Sequence, residues 1–231
     1  MNGFLIQSQP LTVQQHMALD EALALAMPKS EEQFFLRFYN WGGVNNAMTF
    51  GYAQFWADIE REAEAKNFTG PMVRRPTGGG VVYHNGDLTF SCIFTSPLRR
   101  AQELYDKLHG AINNKINLSM AGKSDAGMYA PSLNGAANAC FANPVESDIV
   151  DAQGRKILGG AIRRFDNVIL YQGSLQDAGA RDNEDLQDKI KQAVAREWGF
   201  IFAPYSITPQ LNARMEEESK KYLTDEWNQK F

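Results

Sequence analysis

The spacing of apolar residues along this chain changes from helical to alternating and back several times. Val13, Met17, Leu19, Leu23 and Ala26 recur at helical spacing until Pro28, and Thr12 with Gln15 three residues on forms a capping-box pattern, so a first helix is expected there. Its acidic pair, Asp20-Glu21, is expected on a solvated face. Phe34 to Trp41 is aromatic and strand-like and is ended by Gly42-Gly43, with Phe34, Phe38 and Tyr39 expected in the core. Val44 to Gln54 reads as a loop and short strand, and Asp58 to Asn67 as a charged amphipathic helix. Met72 to Arg74, Val81 to His84 and Leu88 to Phe94 are strand-like runs, and Pro97 through about Leu118 contains a helix.

Met120 to Asn138 is rich in Gly, Ala, Ser and Asn without periodicity, which predicts a long loop of the kind that is frequently functional. A hairpin at Gln153-Gly154 leads into a strand carrying Lys156, and Val168 to Leu175 is a further strand. Gly159-Gly160-Ala161 is expected to leave room for a ligand beside the backbone. Asn183 to Trp198 and Pro209 to Trp227 read mainly as two amphipathic helices.

A chain of 231 residues, 44% hydrophobic and 22% charged, has ordinary globular composition and is long enough for a substantial core. The net charge of −4 argues against non-specific nucleic-acid binding. The N-terminal residues lack a basic stretch and a long apolar run, and no window approaches 18 apolar residues, so neither a secretory signal nor a membrane span is expected and the location expected is cytoplasmic. Cys92 and Cys140 make no disulfide scaffold, and with three scattered histidines they give no metal-ligand spacing.

Candidate chemistry concentrates in Arg74-Arg75-Pro76-Thr77-Gly78-Gly79-Gly80 and the following Val81 to His84. Three glycines permit positive φ and bring bare N–H groups near a ligand, with two arginines ahead of them, which suits a phosphate or carboxylate. The same stretch also reads as a wide hairpin turn between two strands, with solvated arginines. It lacks the Gly-Lys-Ser/Thr ending of a P-loop and the spacing of the dinucleotide fingerprint.

The run Arg-Arg-Pro-Thr-Gly-Gly-Gly-x-Val-x-His followed by Asp87-Leu-Thr-Phe-Ser91 resembles the central motif of the biotin/lipoate protein ligase superfamily, in its lipoate-protein ligase and octanoyltransferase branch. Met17 to Leu23 resembles that family's opening helix and Lys221 to Asn228 its close, so the resemblance covers residues 1–231 as one catalytic domain. It implies an α/β (α+β) fold with a mixed, mainly antiparallel sheet flanked by helices. Lys156, in Gly-Arg-Lys-Ile-x-Gly-x-Ala-x-Arg, matches the lysine that the family points at the acyl carbonyl, where a cation stabilises the developing oxyanion. Taken alone, such a lysine would be a snorkelling surface residue.

Cys140, followed by Phe141, stands where one class of octanoyltransferases has its nucleophile; a thiolate there would take an octanoyl group from acyl carrier protein and pass it to a lysine. Cys92, in mid-strand, reads as a small buried hydrophobe. The resemblance further implies that Thr77, Gly78, Gly79 and Gly80 shape the pocket floor, that Arg75 orients the donor's polar end, that His84 is a pocket group, and that Asp148, Gly159, Gly160 and Ala161 border the substrate.

The implied partners are lipoyl-carrier domains (2-oxoacid dehydrogenase E2, glycine cleavage H protein) and octanoyl-acyl carrier protein or free lipoate or octanoate. No cofactor is needed for thioester exchange, whereas the alternative, a lipoate ligase, requires ATP and Mg²⁺. The Asn85-Gly86-Asp87 spacing favours the transferase; Gly80 and Ser147-Asp148-Ile149 favour the ligase. Tyr171-Gln172-Gly173-Ser174 departs from the family's His-Gly-Thr/Ser, and on that departure a third reading stands, a relative that binds lipoyl domains or an acyl ligand without turnover.

Overall fold

The computed structural model describes residues 2–7, 9–98, 100–116, 119–120 (backbone only), 148–177 and 179–231. The elements, in order, are β1 (Asn2–Ile6), α1 (Val13–Ala26), β2 (Gln33–Phe38), β3 (Ala47–Phe50), α2 (Trp56–Ala65), β4 (Met72–Arg74), β5 (Val82–His84), β6 (Leu88–Thr95) and α3 (Ala101–Ile116). They continue as β7 (Ser119–Met120), β8 (Ile149–Val150), β9 (Lys156–Phe165), β10 (Val168–Leu175), α4 (Glu184–Trp198), β11 (Phe202–Tyr205), α5 (Pro209–Tyr222) and α6 (Asp225–Asn228). Cys140, Arg99 and the expected loop from residue 121 onward lie outside the described residues; Met120 itself ends β7.

Eight strands form one sheet in the order β11-β1-β2-β6-β10-β9-β8-β7. The pairs β1–β11 and β1–β2 are parallel, and every other pairing in it is antiparallel, which gives the mixed, mainly antiparallel sheet expected. Because successive side chains of a strand point to opposite faces, the central strands feed two cores. Phe35, Ile93, Val168 and Leu170 pack under α1 and α5, against Met17, Leu211, Met215 and Tyr222. Phe34, Phe90, Cys92, Phe94 and Ile169 face the other way, against Leu104, Leu108 and Ile112 of α3 and Ile190 and Val194 of α4. Burying a phenylalanine such as Phe34 or Phe94 contributes about 1.5–3 kcal/mol.

Helix α1 carries the capping box: Thr12 Oγ1 accepts from the Gln15 N–H, and Gln15 Oε1 accepts from the Thr12 N–H. Nearly every residue from Val13 to Ala24 is buried, so α1 is an interior helix rather than a surface one. This overturns the solvated-face expectation for Asp20 and Glu21, which are 0% and 5% exposed. Glu21 accepts from the Tyr222 hydroxyl (2.7 Å) and pairs with Lys221 (2.5 Å), both on the α5 side.

A second sheet has the order β4-β3-β5, with β4 parallel and β5 antiparallel to β3. The glycine-rich stretch is therefore not a hairpin turn. It carries the chain from one side of β3 to the other, across the end of that strand, where a Cβ on Gly51 would meet the Gly79 carbonyl carbon at 2.8 Å. Arg74 is also not a solvated arginine. Fully buried, it donates to the carbonyls of Gly51, Tyr52 and Gln54 and to those of Trp227 and Asn228, tying the last helix to the second sheet. Among the described residues, no helix is long and apolar enough to cross a membrane.

Candidate active site

Lys156 opens β9, and its ammonium lies 2.9 Å from the Asp148 carboxylate just before β8, both side chains 3–4% exposed. The two residues predicted apart in sequence are thus one buried ion pair. Gly159 makes the pairing possible: a Cβ there would stand 2.6 Å from the Lys156 Nζ, so the room beside this glycine is taken by the lysine's own side chain. Gly160 has its missing side chain replaced by the ring of Tyr171, whose other edge comes within 2.7 Å of a Cβ built on Gly173. Tyr171 in turn shares a 2.7 Å hydrogen bond with His109 of α3. The space expected for a ligand at these two glycines is filled from within the protein.

Ala161 and the backbones of Gly159 and Gly160 nevertheless wall a small cavity of about 30 Å³ on the α1 side of the sheet. Met17, Tyr39, Thr49, Val82 and Gln172 complete its mainly apolar lining. Arg75 and His84 border it as well, and a hydrogen-bonded chain joins them. Arg75 donates to Thr49 Oγ1 at 2.9 Å, and Thr49 is 2.8 Å from His84 Nε2. On the other side of the ring, His84 Nδ1 is 2.9 Å from Asp87. A carboxylate can only accept, so Nδ1 is the nitrogen that donates to Asp87. Burial alone would raise the Asp87 pKa, yet the His84 charge and hydrogen bonds from His84, Ser174 and Thr89 outweigh it and hold the carboxyl below its usual range.

Arg75 was expected to orient the donor's polar end. Its guanidinium also donates to the carbonyls of Gly78 (2.9 Å) and Gly80 (2.8 Å), so it braces the glycine crossover from beneath. Gly79, at φ +86°, is the position there that requires glycine. Gly78 has open space where a side chain would begin. Thr77 is buried, and its hydroxyl donates to Gln172 at 2.7 Å.

Gln172 leads to a second polar cluster that the sequence reading assigned no chemistry. Its amide donates to Asp20 (2.8 Å) and to the Tyr39 hydroxyl (3.0 Å). Asp20 also accepts from Arg37 (2.5 Å), Ser91 (2.7 Å) and Tyr39. Arg37 Nη2 reaches His16 Nδ1 at 2.6 Å, while His16 Nε2 donates to the Asn40 carbonyl. Burial and then the Arg37 charge push the His16 imidazolium well below its ordinary stability, so the ring is neutral. Burial and the Asp20 charge push the Tyr39 phenol well above its usual range. Cys92, buried beneath this cluster, has its thiol pushed well up by burial and fits the inert role expected of it.

The Lys156 ammonium is thus seated by the Asp148 carboxylate, with its stem against Gly159, one of the residues that wall the apolar cavity, and Arg75, which braces the glycine crossover, borders the same cavity. The model of the lipoyl protein ligase A/B catalytic domain matches residues 12–183, and the chain belongs to that family. Relatives named octanoyltransferase LipM include one from Symbiobacterium thermophilum, 32% identical over 70% of this chain and 60% of its own length. Another, from Kyrpidia tusciae, is 27% identical over 92% of this chain and 93% of the relative. Among solved structures, T. acidophilum Ta0514, described as a lipoate protein ligase with bound lipoic acid, aligns over 100% of both chains with a TM-score of 0.76 at 20% identity. A lipoate-protein ligase A bound with ATP aligns over 99% of both chains, also with a TM-score of 0.76, at 21% identity. These two share the fold.

Proposed function

We propose that this enzyme transfers an octanoyl (or lipoyl) group to a specific lysine of lipoyl-carrier domains, such as those of 2-oxoacid dehydrogenase E2 and the glycine cleavage H protein, with octanoyl-acyl carrier protein as donor. The observation that supports this reading is the buried Lys156–Asp148 pair, whose lysine stem lies against Gly159, one of the residues that wall the apolar cavity. In the first step the Cys140 thiolate attacks the donor's thioester carbonyl; the new C–S bond replaces the old one, and the donor sulfur leaves as a thiolate. Lys156 stabilises the oxyanion formed on the way. In the second step the acceptor amine attacks, an amide C–N bond forms, and the cysteine thiolate departs as the amine loses its proton. Neither step consumes ATP.

The alternative, an ATP-dependent lipoate ligase, is favoured by one feature: the crossover's exposed Gly79 and open Gly78 offer backbone N–H groups of the kind that hold phosphate. ATP with Mg²⁺ would supply an acyl-adenylate there, and Gly78 to Gly80 would be the residues holding its phosphate.

Intact-mass analysis of wild type and Cys140→Ser after incubation with octanoyl-acyl carrier protein, without ATP, separates the two. A hydroxylamine-labile octanoyl adduct on wild type that is missing from the variant is the expected result. No adduct, with ATP-dependent modification of a lipoyl domain given free lipoate, would replace the transferase by the ligase.

A further inference from the structure

Gln172 is the joint between the glycine crossover and the buried ion pair of the interior, and its orientation is dictated by its neighbours. On one side stand Asp20, which only accepts, and Tyr39, whose phenol proton is committed to Asp20 and whose oxygen is left to accept. The Gln172 NH₂ must face them, which leaves the amide oxygen for the Thr77 hydroxyl. Thr77 in turn accepts, through its carbonyl, the Tyr52 N–H at 2.8 Å, the bond that lays the crossover against the end of β3. The route from Arg37 through Asp20, Gln172 and Thr77 is unbroken and buried.

We propose that Gln172 is a positioning residue for acyl transfer: its amide transmits the fixed geometry of the Asp20–Arg37 pair to Thr77 and so sets the crossover against the cavity in which the acyl group is held. This rests on the function proposed above. A donor and an acceptor on one rigid amide are both required. Leucine supplies neither. Ionised glutamate supplies no donor and faces Asp20 with like charge, while protonated glutamate restores one O–H donor toward Asp20 and one carbonyl acceptor for Thr77.

Of the titratable and charged groups, Asp20 of α1 and Tyr39 just after β2 contact position 172, His16 and Arg37 lie behind Asp20, and Arg75 and His84 line the same cavity. Burial and Asp20 raise the pKa of a glutamate there, so the functional, protonated form is present at low pH and is lost as pH rises.

The deciding experiment combines octanoyl transfer to a lipoyl domain with hydrogen exchange of the 74–82 backbone for wild type, Gln172→Leu, Gln172→Glu, Thr77→Val and Gln172→Leu/Thr77→Val. The folded state of each is checked by its melting transition. Gln172→Leu is expected to lose about tenfold or more in kcat/KM and to exchange faster at 74–82. Thr77→Val should do likewise, and the double variant should be little worse than either single one, because one bond is being removed. The Gln172→Glu to wild-type activity ratio should climb as pH is lowered. Unchanged exchange in Gln172→Leu, additive losses in the double variant, or a flat Gln172→Glu ratio would overturn the positioning role. Absence of transfer by wild type would instead overturn the proposed function, and the exchange data would still judge Gln172.

Discussion

Lys156 lies on Gly159 so closely that a Cβ on the glycine would come within 2.6 Å of the ammonium nitrogen. The lysine cannot keep its place beside Asp148 if position 159 carries a side chain. Gly159→Ala is therefore expected to lower kcat by about tenfold to a hundredfold, as small misplacements of a reacting group do. Steady-state octanoyl transfer measures it. Gly160→Ala meets a different neighbour, the Tyr171 ring on the other face, and should show first as a loss of about 1–3 kcal/mol in urea unfolding.

Asp148 and Lys156 are both almost wholly buried. Removing the carboxylate with Asp148→Ala breaks a buried ion pair from one side, which is expected to cost about 3–5 kcal/mol of stability and to depress turnover. Lys156→Ala should abolish turnover, and retained activity in that variant would remove Lys156 from the chemistry.

The buried His16 gives a pH dependence of stability. Its folded-state pKa lies below the unfolded value of 6.5, so below that value the unfolded chain binds a proton that the folded chain refuses. Stability is complete above about pH 6.5 and falls as the solution is acidified from there. Asp87, also shifted downward, adds a further loss at lower pH, because its stabilisation is present above 3.8 and disappears as it is protonated. Melting temperatures between pH 8 and pH 5 should decline on the acid side, and His16→Gln should flatten the upper part of that decline.

Arg74 donates to five backbone carbonyls, which a lysine's three donors cannot reproduce. Arg74→Lys is expected to cost about 2–4 kcal/mol and to raise hydrogen exchange in residues 225–231.

Most of the secondary structure was legible because periodicity reports it directly: α1, with its capping box, and the long strands β6, β9 and β10 stand where the pattern puts them. β1 and β11 escaped because they are short, and β11 contains Pro204, tolerated there at the sheet edge. The glycine crossover stayed open to a hairpin reading because local turn chemistry says nothing of β3, which lies between its two flanking strands and comes from upstream. Lys156 and Asp148 were found by resemblance alone; nothing in their spacing announces an ion pair. For Asp20 there was a signal. It falls three residues after Met17 and three before Leu23, on the apolar stripe of α1, where a carboxylate must be paired.

The contacts of Arg74 also impose an order on the birth of the enzyme. The partner of its backbone N–H, Asn228, is 154 residues further along. While the ribosome is still adding those residues, the guanidinium has neither Trp227 nor Asn228 to hold it, and the crossover next to it lacks its anchor. Those contacts form only after Trp227 and Asn228 have been added, so a nascent chain short of them carries the complete glycine motif in its sequence without the downstream residues that hold its first arginine in place.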